Sequence, residues 1–205
     1  MKTGRAITSS AAALALAVTL QMAGASSSRA AVTPFPIWQH VTPATHSPTT
    51  VTYAFSSNVP PKVQRIVQRA LTGWASELGQ PGFFQMSEAA TPGMRFTMTD
   101  LPANRVGEMS LMQLCTSTSC TATATIKLDG PTFANPAIRK KDKTATVAHE
   151  VGHALGLDHS SGGMSRSNPG TCREVMKRIL MFGTSCNPSV PSRDEVGAVQ
   201  RLYQL

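Results

Sequence analysis

No cysteine occurs before Cys115 in this 205-residue chain, no two arginines stand side by side near its start, and it holds only two tryptophans and two tyrosines. The first absence excludes a lipid-modified N-terminal cysteine, and the second excludes a twin-arginine export signal. Lysines and arginines are scattered apart from "IRKKDK" (Ile138 to Lys143), so the chain lacks both a clustered basic face and a reading motif. Nucleic-acid binding is therefore not expected, despite a formal charge of +8. Aspartates are not clustered, so calcium is compatible with the chain but is given no site. No internal repeat is present. Histidine is also scarce: of five, three fall between positions 149 and 159.

The chain opens with "MKTGR" and continues as "AITSSAAALALAVTLQMAGA", an alanine-rich apolar run without charge that leads through "SSSRA" to "AVTPF". A basic start, an apolar centre and a small-residue exit are the parts of a secretory signal peptide. The apolar run approaches spanning length, but its exit favours cleavage over a retained anchor. A signal peptide is expected over 1–30, with cleavage after Ala30 and Ala25 as the alternative. It carries Lys2, Arg5 and Arg29, so its removal takes the formal charge from +8 to about +5, enough for loose association with anionic surfaces. About 175 residues remain, sufficient for one domain with a full core. The expected product is a secreted, extracellular monomer with no membrane anchor.

The four cysteines, Cys115, Cys120, Cys172 and Cys186, read in an exported chain as two disulfides. Three connectivities are open. The local one, Cys115 with Cys120 and Cys172 with Cys186, is favoured because each pair encloses a short, polar, turn-rich loop. No C-x2-C knuckle is present, which argues against a cysteine zinc site.

Residues 31–49 are rich in proline and threonine without periodicity and read as an extended lead-in. "TVTYAF" (Thr50 to Phe55) alternates β-formers and predicts a first strand. After Pro60 and Pro61, apolar residues recur at Val63, Ile66, Val67, Ala70, Leu71, Trp74 and Leu78, the spacing of one helix face, with Gly79 placed to end it. Trp74 in that stripe reads as core. "FFQMSEA" and "MRFTMTD" read as strands, the segment from there to the first cysteine pair as loop, and "TATATIKLD" (Thr121 to Asp129) as a further strand. A connection bearing proline and lysine leads to the helix "TATVAHEVGHALG". Ser192 and Glu195 in "SRDE" form a capping-box pattern that opens a last helix, "DEVGAVQRLY". This order describes an α+β domain whose sheet precedes its key helix.

The chemistry concentrates in "HEVGHALGLDH", from His149 to His159. Residues four apart on a helix share a face, so His149 and His153 can offer ring nitrogens to one point. Glu150 lies about 100° round the helix, beside that point rather than on it, where a carboxylate can take a proton from a metal-bound water. Gly156 can adopt the left-handed conformation that ends a helix and brings His159 back. Three imidazoles with a fourth position open are the ligand set of a catalytic zinc, whereas structural sites fill all four positions with protein groups.

These residues resemble the zinc-binding consensus of the metzincin metallopeptidases, and Asp158 and Ser160 flanking His159 resemble its matrixin branch. "TVTYAF" with "VQRIVQRALTGWAS" is similar to the first strand and first helix of a matrixin catalytic domain, and "DEVGAVQRLY" to its last helix; 79–140 matches only in outline. The resemblance implies a zincin-like α+β domain over 50–205, with a twisted mixed sheet packed on the active-site helix and a C-terminal helix. It implies His149, His153 and His159 as ligands of one zinc, Glu150 as general base, and a methionine-containing turn beneath the metal. Met176 in "CREVMKR", four residues after Cys172 as in small secreted bacterial relatives, and Met181 in "ILMFG" both remain candidates for that turn, with Met176 favoured. The chain departs from animal matrixins in having only His40 and His46 outside the motif, which argues for a single zinc, and in having no cysteine before the domain to hold it latent. The expected activity is secreted zinc-dependent endopeptidase action on protein or peptide substrates. The alternatives are a catalytically silent zinc-binding domain and a zinc amidase acting on a non-protein amide.

Overall fold

The computed structural model describes residues 50–89, 92–103, 105–115, 120–159, 175–176, 188–203 and 205. Five strands form one mixed sheet: β1 (Val51–Phe55), β2 (Phe84–Met86), β3 (Met94–Thr99), β4 (Gly107–Cys115) and β5 (Cys120–Asp129). Their spatial order is β2-β1-β3-β5-β4. Strand β1 runs parallel to β2 and β3, β3 runs parallel to β5, and β4 pairs antiparallel with β5 as a hairpin. Alternation decides the faces: Ala124, Ile126 and Leu128 of β5 are buried with Met94 and Phe96 of β3, while Thr125, Lys127 and Arg95 between them are partly exposed.

Helix α1 (Pro61–Glu77) starts with proline at its first position, where the missing N–H costs nothing. It buries the predicted stripe of Val63, Ile66, Val67, Ala70, Leu71 and Trp74, together with Ala75. Its end is a Schellman turn. Gly79, at φ 70°, donates to Ser76 O at 3.1 Å and Gln80 N–H donates to Ala75 O at 2.9 Å. Helix α3 (Lys140–Ala154) lies against α1, β4 and β5. The Trp74 indole N–H donates to Ala148 O at 3.0 Å in the buried seam between the two helices, one residue before His149. Helix α4 (Arg193–Tyr203) closes the domain, with Val196, Ala198 and Val199 in the core.

The α+β architecture is the one expected, a single domain with a five-stranded mixed sheet and helices. Three local expectations change. The segment read as loop is the nine-residue strand β4. Its run "GEMSLMQLC" has no simple alternation of β-formers, and pairing with β5 along its whole length supplies what local propensity does not. The proline-bearing connection contains a short helix α2 (Gly130–Ala134), whose N-terminus is capped by Asp129 Oδ2 accepting from Thr132 N–H at 2.9 Å. Helix α3 also begins four residues earlier than "TATV". Its charged first turn is tied inward: the Asp142 carboxylate accepts from the Arg139 guanidinium at 2.9 and 3.0 Å, and Lys143 Nζ donates to Phe133 O at 2.8 Å and Asn135 O at 2.7 Å. The signal and lead-in segments, with His40 and His46, lie outside the described residues, as do Met181, Cys172 and Cys186. The β4–β5 register sets Cys115 directly opposite Cys120.

Candidate metal centre

Helix α3 presents His149 and His153 one turn apart, then stops. Leu155 ends the helix, Gly156 takes φ 99°, and the Schellman pair closes with Gly156 N–H to His153 O and Leu157 N–H to Gly152 O, both at 2.9 Å. A side chain at φ 99° is strained, which is why glycine stands at the reversal. The turn performs two tasks. It brings His159 back over the helix, and it places Leu157 O 2.8 Å from His153 Nδ1. A carbonyl oxygen can only accept, so His153 carries its proton on Nδ1 and keeps a lone pair on Nε2. His149 is set the same way by Val175 O, 2.8 Å from its Nδ1.

The three Nε2 atoms converge. His159 Nε2 lies 3.2 Å from His149 Nε2 and 3.2 Å from His153 Nε2. The His149 and His153 rings stand perpendicular at 4.7 Å, as do His153 and His159, with an 85° interplanar angle, at 4.6 Å. Tetrahedral zinc with Zn–N bonds of about 2.0–2.1 Å holds its ligand nitrogens about 3.3–3.4 Å apart. The observed edges fit that figure, and two lone pairs fixed toward a common point are what a cation requires. Among the described residues, His149, His153 and His159 form the group of three able to hold a metal ion. Burial, chiefly, holds His153 below the usual imidazole range, partly offset by its bond to Leu157 O, and the neutral ring is the ligating form.

Glu150 is buried against β4. A Cβ on Gly107 would sit 2.8 Å from Glu150 Oε1 and 2.9 Å from its Cγ, so only glycine lets the strand backbone pass this carboxylate. Burial pushes the Glu150 carboxyl up to about 8, opposed by the Met109 backbone N–H that bonds it and reinforced slightly by the charge of Glu108. A dication alongside acts in the opposite sense. Asp158 is exposed, and its Oδ1 accepts from His159 N–H at 2.6 Å, a local turn that orients the third histidine's backbone.

Beneath the histidines lies Met176, fully buried. A Cβ on Gly152 would stand 2.1 Å from Met176 Sδ, so the helix between His149 and His153 rests on this thioether. Glu195, also fully buried, accepts from Met176 N–H at 2.6 Å and Ser192 N–H at 2.6 Å. Burial drives its carboxyl above the ordinary range against the lowering of the Met176, Ser192 and Val175 amides. Sequence reasoning named the three histidines, Glu150 and Met176, and the structure brings them to one end of α3. It did not find Gly107, Gly152, Val175 or the reach of Glu195. Only Glu195 had a local signal, its capping-box spacing from Ser192.

No helix among the described residues is long and apolar enough to cross a membrane. No curated protein matches the chain. Among solved structures it is similar to "Crystal structure of myroilysin", at 15% identity and TM-score 0.47, with 77% of this chain and 84% of that chain covered. It is likewise similar to "Structure of myroilysin", at 14% identity and TM-score 0.47, with 82% and 98% covered. The family model Reprolysin_5 matches residues 40–190, a span that takes in the whole sheet, helices α1 and α3, all three histidines and Met176. The chain belongs to metallo-peptidase family M12.

Proposed function

We propose that the chain is a secreted zinc endopeptidase of the metzincin class, matrixin-like in its motif, with His149, His153 and His159 holding one zinc and Glu150 serving as general base. The observation that carries this reading is the convergence of three imidazole Nε2 atoms, two with their tautomers fixed by carbonyls, one residue from a buried carboxylate. Zinc bound there supplies Lewis acidity, which makes water acidic near neutral pH and polarises a carbonyl. Glu150 takes the proton of the attacking water on a carboxylate oxygen and hands it to the leaving amine nitrogen. The backbone of β4 at Gly107 and Met109 holds that carboxylate in place. Because β4 is an edge strand among the described residues, an extended peptide can align beside it by main-chain hydrogen bonds and bring its carbonyl to the site. Met176 is the methionine of the turn beneath the metal in this reading. Cleavage of a signal peptide after Ala30, disulfides Cys115 with Cys120 and Cys172 with Cys186, and a monomeric state complete it; calcium has no assigned site.

Zinc content and hydrolysis of a denatured protein, measured on wild type and Glu150→Ala, test the assignment. One zinc in both, with turnover reduced about 10²–10⁴-fold in the variant, is the expected result. Near-full activity in Glu150→Ala contradicts the role given to that carboxylate.

A further inference from the structure

Glu195 takes no part in the reaction just described, yet it is fully buried. One of its oxygens does what a capping-box glutamate does: Oε2 accepts from Ser192 N–H at 2.6 Å while Glu195 N–H donates to Ser192 Oγ at 3.4 Å. The other leaves the helix. Oε1 accepts from Met176 N–H at 2.6 Å, and the Val175 N–H bonds the same carboxylate. Capping α4 requires neither of these bonds.

Their consequence follows from covalent geometry. Met176 N–H and Val175 C=O belong to one peptide group, which is planar. The N–H end of that plane points at Glu195 and the C=O end accepts from His149 Nδ1 at 2.8 Å. Fixing one end fixes the other, and an anion accepting from the N–H draws electron density toward the carbonyl oxygen. We propose that Glu195 is a positioning residue for the metal centre: acting through the Val175–Met176 peptide, its carboxylate orients the His149 ring and raises the basicity of its Nε2. The same peptide seats Met176 under Gly152, so one carboxylate governs both supports of α3 at the ligands. This inference rests on the zinc reading above.

Zinc affinity by chelator competition, and the proton resonance of His149 Nδ1–H in the zinc-loaded full chain, are compared in wild type, Glu195→Gln and Ser192→Ala. Glu195→Gln keeps the shape and removes the charge; the expected result is about 10–100-fold weaker zinc binding and an upfield shift of the Nδ1–H resonance. Ser192→Ala, which loses the hydroxyl cap and retains the carboxylate, keeps wild-type affinity and resonance although it too lowers the melting temperature. Wild-type affinity and an unshifted resonance in Glu195→Gln overturn the inference and leave the zinc reading standing. A wild-type chain that takes up no zinc overturns both. Should Glu195→Gln not fold, hydrogen exchange on the wild type decides. Coupling is reciprocal, so zinc must slow exchange at the Met176 amide, and exchange indifferent to zinc overturns the proposal.

Discussion

Helices α1 and α3 pack against each other, hold an internal glycine each, and end in the same glycine turn. They differ in what they bury. Helix α1 buries one apolar stripe and leaves its other side to water. Helix α3 is buried along nearly its whole length, and Asp142, Lys143, Thr144, Thr146, His149 and Glu150 are buried with it. Each of these polar groups finds a partner: Phe133 O for Lys143, Val175 O for His149, Met109 N–H for Glu150. Apart from the Trp74 indole N–H, which donates to Ala148 O, the α1 stripe asks for volume and tolerates exchange among residues of similar size. Buried polar groups demand specific partners at specific places, so α3 holds geometry where α1 holds mass.

The comparison breaks most sharply at the largest side chains. Trp74→Ala in α1 should cost about 3–5 kcal/mol of stability while the folded fraction keeps its zinc affinity; His153→Ala in α3 should lose zinc and turnover together. Denaturation midpoints and metal content separate the two outcomes. The internal glycines sharpen it further. At Gly73 an added Cβ meets Ser189 O at 3.4 Å and Val190 Cγ2 at 3.8 Å, ordinary contacts, so Gly73→Ala should stabilise by about 0.5–1 kcal/mol. At Gly152 the added Cβ meets Met176 Sδ at 2.1 Å, so Gly152→Ala should destabilise by about 1–3 kcal/mol and weaken zinc binding. Next come the two turns. Gly79→Ala and Gly156→Ala both force alanine into a left-handed conformation and should each cost about 1–2 kcal/mol, but only the second should shift zinc affinity, since only that turn carries a histidine.

The smallest effect lies on the far face of β4. Lys127, then Arg105, hold the Glu108 carboxyl below its ordinary range by hydrogen bonds. A carboxylate lowered in the folded state stabilises the fold above its unfolded pKa, and that contribution disappears as pH falls through the lowered folded value. Glu108→Gln should therefore flatten the acid limb of stability against pH, by no more than about 1 kcal/mol for so exposed a pair, with no change in zinc affinity.

The parts legible in the sequence are those that local periodicity writes: the α1 stripe, the alternation in β1, β3 and β5, the capping box of α4, and the i, i+4 histidines with the glycine that returns the third. The rest depends on contacts distant in sequence. Strand β4 begins at a glycine because Glu150 lies under it, a pairing no window around residue 107 contains. Five residues of α2 are too few for a helical period. The start of α3, "KKDK", reads as part of a connection; it is helical, with Lys140 and Lys141 exposed and Asp142 and Lys143 buried, because Arg139 pairs with Asp142 and Lys143 caps carbonyls at the end of α2. Glu195 advertises its own helix, and its bond to Met176 belongs to tertiary structure.

X-ray absorption at the zinc edge of the purified chain tests the central claim most directly. The account predicts one zinc with about four nitrogen or oxygen neighbours near 2.0–2.1 Å, three with the outer-shell signature of imidazole, and loss of that signature in His153→Ala. Sulfur neighbours near 2.3 Å, or a metal retained with an unchanged spectrum in His153→Ala, would place the zinc elsewhere and contradict the account.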